Sequence, residues 1–137
     1  MATIVLHCWG SYGDVNPYIG LGLELRRRGH RPIVATNEYF RGAVEREGLG
    51  FHPTRPQLDA AGDPRVAAIM DPRHGPETLL REIMVPAVRD SYDDLAAALP
   101  GADLLVSHPL SFAAPLLAEQ TGIRWASSVL SPLSFFS

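Results

Sequence analysis

The sequence predicts an α/β domain with a Rossmann-like parallel sheet and flanking helices. Short apolar, β-branched runs alternate with helical stretches along most of the chain, the pattern of a sheet whose crossovers are helices. The first run, Thr3 to Cys8 (TIVLHC), is almost unbroken in its apolarity, as a strand buried on both faces must be. At 137 residues and 46% hydrophobic content, the chain suffices for one domain with a real core and is too short for two. Strand–helix–strand order then calls for parallel pairing with right-handed crossovers.

The elements follow in order. After the first strand comes a glycine-containing loop, Trp9 to Val15, and then Asn16 and Pro17 read as an N-cap and first helical residue,. Leu21, Leu23 and Leu25 lie in this helix, and Arg26 to Arg28 suit the negative end of its dipole,. Gly29 fits the left-handed position that ends it. Pro32 to Ala35 is the second strand. Asn37 caps a helix over Glu38 to Glu47, and Leu49 to His52 is a third strand.

Residues 53 to 76 are rich in proline and read as a long surface excursion with one short helix near Pro64 to Met70,. Leu80, Met84, Val88, Leu95 and Leu99 then share one face of a helix over Glu77 to Leu99, kinked at Pro86,. Asp103 to Ser107 is a fourth strand. Ser111 caps a helix through Thr121, stopped by Gly122, and Arg124 to Val129 is a fifth strand. The chain closes on Leu133, Phe135 and Phe136 directly after it, which reads as a cut from a longer protein or as an apolar surface for pairing into a homodimer.

Charge and composition remove several functions. The net charge is -3, with 15 acidic side chains against 12 basic, all of the latter Arg. No basic face for nucleic acid is required. Cys8 is the single cysteine; it forms no intrachain disulfide and reads as a core thiol. Met1 to Cys8 lacks the pattern of a signal peptide, and no 18-residue apolar run marks a transmembrane span,. The expectation is a cytoplasmic protein. No histidine pair has H-x-x-x-H spacing, so no metal is expected,. The glycines at 10, 13, 20 and 22 fail the G-x-G-x-x-G dinucleotide spacing, and a chain without lysine has no Walker A loop,. Ser11 in G-S-Y-G is not a nucleophile elbow.

Ligands of an open parallel sheet gather beyond the carboxyl ends of its strands. Two segments lie there, Cys8 to Asp14 and Ser107 to Pro109. Asp14 has two readings: a carboxylate favoured at a helix start, or a general base facing the cleft. The helix end lowers its pKa, and desolvation by an apolar ligand raises it. His108 is either a rim histidine bonded to a loop carbonyl or a partner in the chemistry. Trp9 and Tyr12 are either core residues or the apolar wall of a ligand site. Met70 and Met84 suit an adaptable lining, with core filling the bland alternative for Met84.

The run GSYGDVNPYIGLGLELRRRGHRPIVAT carries the pattern G-S-x-G-D-V-x-P, then L-G-x-x-L, R-G-H and a strand ending A-T. It resembles the opening of glycosyltransferase family 28 and the related sterol and natural-product UDP-glycosyltransferases. DLLVSHPLSFAAPLLAEQTGI and SVLSPLSFFS resemble later parts of the same family, so the likeness covers most of the chain except about residues 54 to 76. The resemblance implies the N-terminal half of a GT-B fold, with residues 1 to 137 as the acceptor-binding domain. By the same resemblance the donor-binding C-terminal domain, with its His-Gly-Gly motif, is expected to lie outside these residues.

The same resemblance implies an inverting transferase that takes a sugar from a UDP- or dTDP-sugar to a hydrophobic sterol, polyketide or glycopeptide acceptor. The isolated chain is expected to be inactive and to hold no cofactor of its own. Asp14 then stands as the base. His108 occupies the place where plant relatives carry an acid that orients their histidine, which suggests a swapped Asp14–His108 pair. Ser11 and Gly13 would shape the loop beside it. Two other functions stay open: a non-catalytic Rossmann- or flavodoxin-like module for a small molecule or nucleotide, and a transferase acting on a lipid-linked cell-wall sugar.

Overall fold

The computed structural model describes residues 1–59 and 62–131. Five parallel strands, β1 (Thr3–His7), β2 (Arg31–Thr36), β3 (Gly50–Pro53), β4 (Leu104–Ser107) and β5 (Arg124–Ser127), lie in the order β3-β2-β1-β4-β5. The chain works outward from β1 to β3 and then returns to the other side of β1 for β4. That reversal opens a crevice at the carboxyl ends of β1 and β4, where an open sheet places its ligands.

The register explains the two-sided core. Val5 of β1 pairs with Ile33 on one side and Leu105 on the other. Successive side chains alternate faces. Ile4, Leu6 and Val34 therefore pack on one layer with Val15, Tyr18, Ile19, Phe40 and Val44, under helices α1 (Tyr12–Arg27) and α2 (Arg41–Arg46). Val5, Ala35 and Leu105 pack on the other with Leu95, Ala98, Ala113 and Leu117. A third cluster, Trp9, Ile83 and Met84 backed by Leu58, Ile69, Leu79, Leu110 and Phe112, is separate from both.

Helix boundaries depart from the expectation in three places. First, α1 begins at Tyr12 rather than at Pro17, and Pro17 lies inside it. Asn16 is exposed and caps nothing; Ser11 holds the cap position. The Asp14 carboxylate takes the Ser11 backbone N–H at 2.9 Å, the reciprocal half of a capping box. The helix still ends as expected, with Gly29 at φ +86°.

Second, the single kinked helix over Glu77 to Leu99 is three pieces. After the short helix α3 (Pro64–Ile69), which is where the sequence places one, these are α4 (Gly75–Thr78), a π-helical stretch over Leu79–Met84 and α5 (Val88–Ala98). The Val85 N–H reaches back five residues to the Leu80 carbonyl at 2.9 Å, just before Pro86, which has no N–H to continue the ladder. Over the widened turn the 3.6-residue face is lost. Leu80 is exposed while Met84 and Leu95 are buried.

Third, α6 (Ala113–Thr121) has Phe112, not Ser111, at its cap, because the Ser111 hydroxyl is engaged by His7 Nδ1. Gly122, at φ +71°, ends it as expected. The Asn37 cap also holds, its side-chain oxygen accepting the Tyr39 N–H at 3.1 Å, although a 3-10 turn over Glu38–Phe40 precedes the shorter α2. Leu133, Phe135 and Phe136, and the dimer contact read from them, lie outside the described residues. Among the described residues no helix is long and apolar enough to cross a membrane.

Leu105 is fully buried at the centre of the second layer, in the strand that leads to His108. Replacing it with Ala should cost about 2–5 kcal/mol, the range for a deleted core side chain, read as a lowered urea midpoint. A loss well under 1 kcal/mol would mean that this layer is not close-packed.

Candidate functional site

The loop after β1 and the loop after β4 meet at one pair of side chains. His108 Nε2 lies 3.1 Å from Asp14 Oδ1. His108 is buried and Asp14 is about one-third exposed. The histidine loop is tied down at its backbone. The His108 N–H donates to the His7 carbonyl at 2.9 Å, and the Ser111 N–H donates to the His108 carbonyl at 2.9 Å.

The ring nitrogens have distinct roles. Nδ1 accepts the Leu110 backbone N–H at 3.0 Å, so it carries no proton. The proton of the neutral ring therefore sits on Nε2, which donates it to Asp14. His108 is a hydrogen-bond donor here and is not placed to act as the base.

Asp14 is correspondingly held as a carboxylate. The His108 hydrogen bond, chiefly, and the Ser11 N–H draw its pKa below the ordinary 3.8, against the opposing effect of burial. Its Oδ2 takes the Ser11 N–H at 2.9 Å and the Ser11 hydroxyl at 3.2 Å. With the His108 bond that fills three of about four acceptor positions on the carboxylate. One is left for the proton of a ligand.

Gly10, rather than Gly13, makes room for this arrangement. It sits at φ +141°, and a Cβ there would come within 2.6 Å of Asp14 Cγ. A Cβ at Gly13 would meet only the Ser11 hydroxyl at 3.5 Å, an ordinary contact. Within this loop it is thus Gly10 that tolerates no side chain.

Asp14 borders a cleft of about 300 Å³. Of the residues expected to line it, Trp9, Ser11, Tyr12 and Met70 do, and Gly13 and Met84 do not. Met84 is buried behind the wall with Ile83 and Trp9, so its role is core filling. Trp9 is both wall and core, with its indole N–H fixed on the Pro56 carbonyl at 2.8 Å. Met70 stands on the rim, 74% exposed.

The sequence reading missed Asn37, Tyr39, Phe40, Leu58, Val66, Ile69, Leu79 and Leu110, which line the cleft as well. The ring of Tyr12 meets Tyr39 and Phe40 edge-to-face, at 6.1 and 5.0 Å between centroids. A signal for that pair existed, since N-E-Y-F follows the carboxyl end of β2. A larger hollow of about 750 Å³ lies at the opposite edge of the sheet, by Ala102, Asp103 and Arg124 at the amino ends of β4 and β5. It is remote from the Asp14–His108 pair.

His7 sits behind the site. Burial, reinforced by the nearby His108, pushes its pKa down to about 4, so it is neutral near pH 7. Among the described residues no three His, Cys, Asp or Glu side chains gather into a metal site. Cys8 is buried, and burial pushes its thiol up to about 12.

Two predictions follow from this geometry. Gly10→Ala should cost about 1–3 kcal/mol, since it adds backbone strain and displaces the Asp14 carboxylate; thermal unfolding reads it, and an unchanged midpoint would contradict the crowding. Because the folded pKa of Asp14 lies below 3.8, its contribution to stability is present above the unfolded value and lost as pH falls through the folded one. The stability of the native chain relative to Asp14→Asn should be constant down to about pH 5 and shrink below it. A gap that instead closed between pH 6 and 7 would show an elevated pKa.

No family model matches the chain. Among curated proteins it is 35% identical over 120 residues to 4'-demethylrebeccamycin synthase of Lentzea aerocolonigenes, a match over 81% of this chain and 28% of that protein. It is 32% identical to a sterol 3-beta-glucosyltransferase of Leptosphaeria maculans, over 95% and 9% of the two. With O-mycaminosyltylonolide 6-deoxyallosyltransferase of Streptomyces fradiae the identity is 34%, over 89% and 31%. The chain thus spans less than a third of each of these relatives. Among solved structures, a glycosyltransferase of Streptomyces sp. SF2575, also solved with thymidine diphosphate, superposes with a TM-score of 0.70 at 28% identity. That match covers 93% of this chain and 39% of the other. The calicheamicin glycosyltransferase gives 0.70 at 25%, over 93% and 32%. The chain's homologues are therefore glycosyltransferases, and its Rossmann-like fold is that of about a third of their GT-B chains.

Proposed function

We propose that this chain is the acceptor-binding half of an inverting, cytoplasmic glycosyltransferase that moves a sugar from a nucleotide sugar to a hydroxyl of a hydrophobic acceptor. The observation that carries this reading is the Asp14 carboxylate, kept ionised by the His108 N–H at the wall of an apolar, aromatic-lined cleft. A carboxylate with one open acceptor position beside an apolar hollow suits an uncharged ligand that presents a hydroxyl.

The step balances as follows. The acceptor O–H gives its proton to Asp14 as its oxygen bonds to the anomeric carbon. The bond from that carbon to the diphosphate oxygen breaks, and its electron pair leaves with the nucleotide. Attack opposite the leaving group inverts the centre. A carboxylate with a lowered pKa is a weak base in water, but an apolar acceptor that fills the cleft strips water from it and raises its basicity. His108 stays a donor and fixes the carboxylate's orientation. Trp9, Tyr12 and Met70 wall the acceptor with Tyr39 and Phe40, while Ser11 holds the second carboxylate oxygen.

The names of the relatives, a sterol glucosyltransferase and two natural-product enzymes, support a sterol or natural-product acceptor. The thymidine diphosphate complex of the Streptomyces enzyme supports a UDP- or dTDP-sugar donor. The donor half would come from a C-terminal domain. Without it the reactants are not held together, and the isolated chain should not turn over.

The test uses the full-length enzyme with UDP-glucose or dTDP-glucose and a panel of a sterol, a macrolide aglycone and an indolocarbazole. A one-hexose mass gain is the expected product. Asp14→Asn should lower kcat by about 10²–10⁴-fold, the usual share of a general base, with acceptor Kd nearly unchanged; His108→Ala should cost less. Wild-type turnover in Asp14→Asn would remove Asp14 from the chemistry. A native enzyme that glycosylates nothing in the panel, and hydrolyses neither donor, would sink the transferase reading.

A further inference from the structure

The Asp14–His108 contact joins helix α1 to the loop that follows β4. A contact of that kind needs something to fix its spacing. One turn along α1 from Asp14 lies Tyr18, on the same helical face. Tyr18 is 2% exposed, and its ring sits edge-on to the His108 ring, 6.0 Å between centroids at 60°. Its hydroxyl meets the Ser128 hydroxyl. Ser128 in turn donates its hydroxyl proton to the Ser107 carbonyl at 2.8 Å. That settles the direction: the Ser128 oxygen accepts, and the Tyr18 O–H donates.

Ser107 is the last residue of β4 and directly precedes His108. The Ser128 backbone N–H also donates to the Ser107 carbonyl, at 2.9 Å. The relay Tyr18–Ser128–Ser107 therefore pins α1 to the end of β4 within one residue of His108, in parallel with the Asp14–His108 bond itself.

We propose that Tyr18, through Ser128, is a positioning residue that sets the spacing of Asp14 and His108. The proposal rests on the reading of Asp14 as base but makes a separate claim about geometry. Tyr18 touches no ligand; it does not line the cleft. Nor is it placed to act as an acid, since burial pushes its hydroxyl pKa up to about 12. Losing the hydroxyl would free α1 to shift against β4, lengthen the His108 hydrogen bond and weaken its hold on the carboxylate.

The titratable groups around Asp14 are few. His108 faces it from the end of β4, and Tyr18 lies along α1. Cys8 lies beyond β1, with its thiol held protonated. His7 is behind His108 and neutral. Of these, Cys8 and Tyr18 stay protonated in acid, because burial raises both, and His7 takes up its proton at about 4.

The test is an NMR titration of the Asp14 side-chain carboxyl in the full-length protein, with ¹³C-labelled aspartate, in wild type, Tyr18→Phe and Ser128→Ala. Donor and acceptor are left out, so a protein that transfers no sugar still answers the question. Both variants should titrate Asp14 closer to the ordinary 3.8 than wild type does. The double variant should move it no further than either single one, because both cut the same relay. If sugar transfer is also measured, kcat should fall by up to about 10²-fold with acceptor KM unchanged. A wild-type Asp14 titration in folded Tyr18→Phe and Ser128→Ala would overturn the proposal. Should Tyr18→Phe fail to fold, Ser128→Ala, cut at the more exposed end of the relay, decides alone.

Discussion

Everything distinctive about this site depends on one hydrogen bond, from His108 Nε2 to Asp14 Oδ1 at 3.1 Å. The bond fixes which of the two residues is charged. With Nδ1 occupied by the Leu110 N–H, the ring can offer Asp14 a proton but cannot take one at that face and stay neutral. Were His108 doubly protonated, its Nδ1 would repel the amide it now accepts. The backbone of residues 108 to 110 thus chooses the tautomer, the tautomer keeps Asp14 anionic, and the anion is what a hydroxyl entering the cleft would meet. Burial alone would have pushed the other way; the donors outweigh it.

The rest of the architecture is arranged around that contact. The reversal of strand order at β1 brings the loops after β1 and β4 side by side. Gly10 leaves the space the carboxylate occupies. Behind it, the buried His7 and Ser111 engage each other. The apolar side of the cleft comes from further off, with α3 and the residues after β2 and β3 folding over Trp9. The polar pair and the apolar wall therefore come from different parts of the chain. The polar pair sits on loops fixed to the central strands. The apolar wall sits partly on the proline-rich excursion, which can change without disturbing the sheet.

Much of the fold was legible because strands declare themselves by composition. The TIVLHC run, the strand after Pro32 and the one before His108 all fall within a residue or two of the observed elements. The Asp14–His108 pairing was legible only through family resemblance, since nothing in a linear sequence joins residues 94 positions apart. The start of α1 was misplaced for a physical reason. Pro17 is a strong signal for a first helical residue, but the capping interaction of Ser11 with Asp14 started the helix five residues earlier. The S-x-x-D spacing of Ser11 and Asp14 was the signal that could have shown it. The π-helical stretch hid the exposure of Leu80, because a periodicity argument assumes that every turn has the same width. The remaining wall residues, Leu58, Val66 and Ile69, carry no local mark; they become a surface only when the excursion folds back over Trp9.

The most direct measurement is ¹⁵N NMR of the five histidines near pH 7, with His108 assigned by its loss in His108→Ala. The account predicts a neutral ring with its proton on Nε2 and an unprotonated, hydrogen-bonded Nδ1. A ring protonated on Nδ1 alone would mean that His108 is not the donor described here, and a ring protonated on both nitrogens would mean that the Leu110 amide does not choose the tautomer.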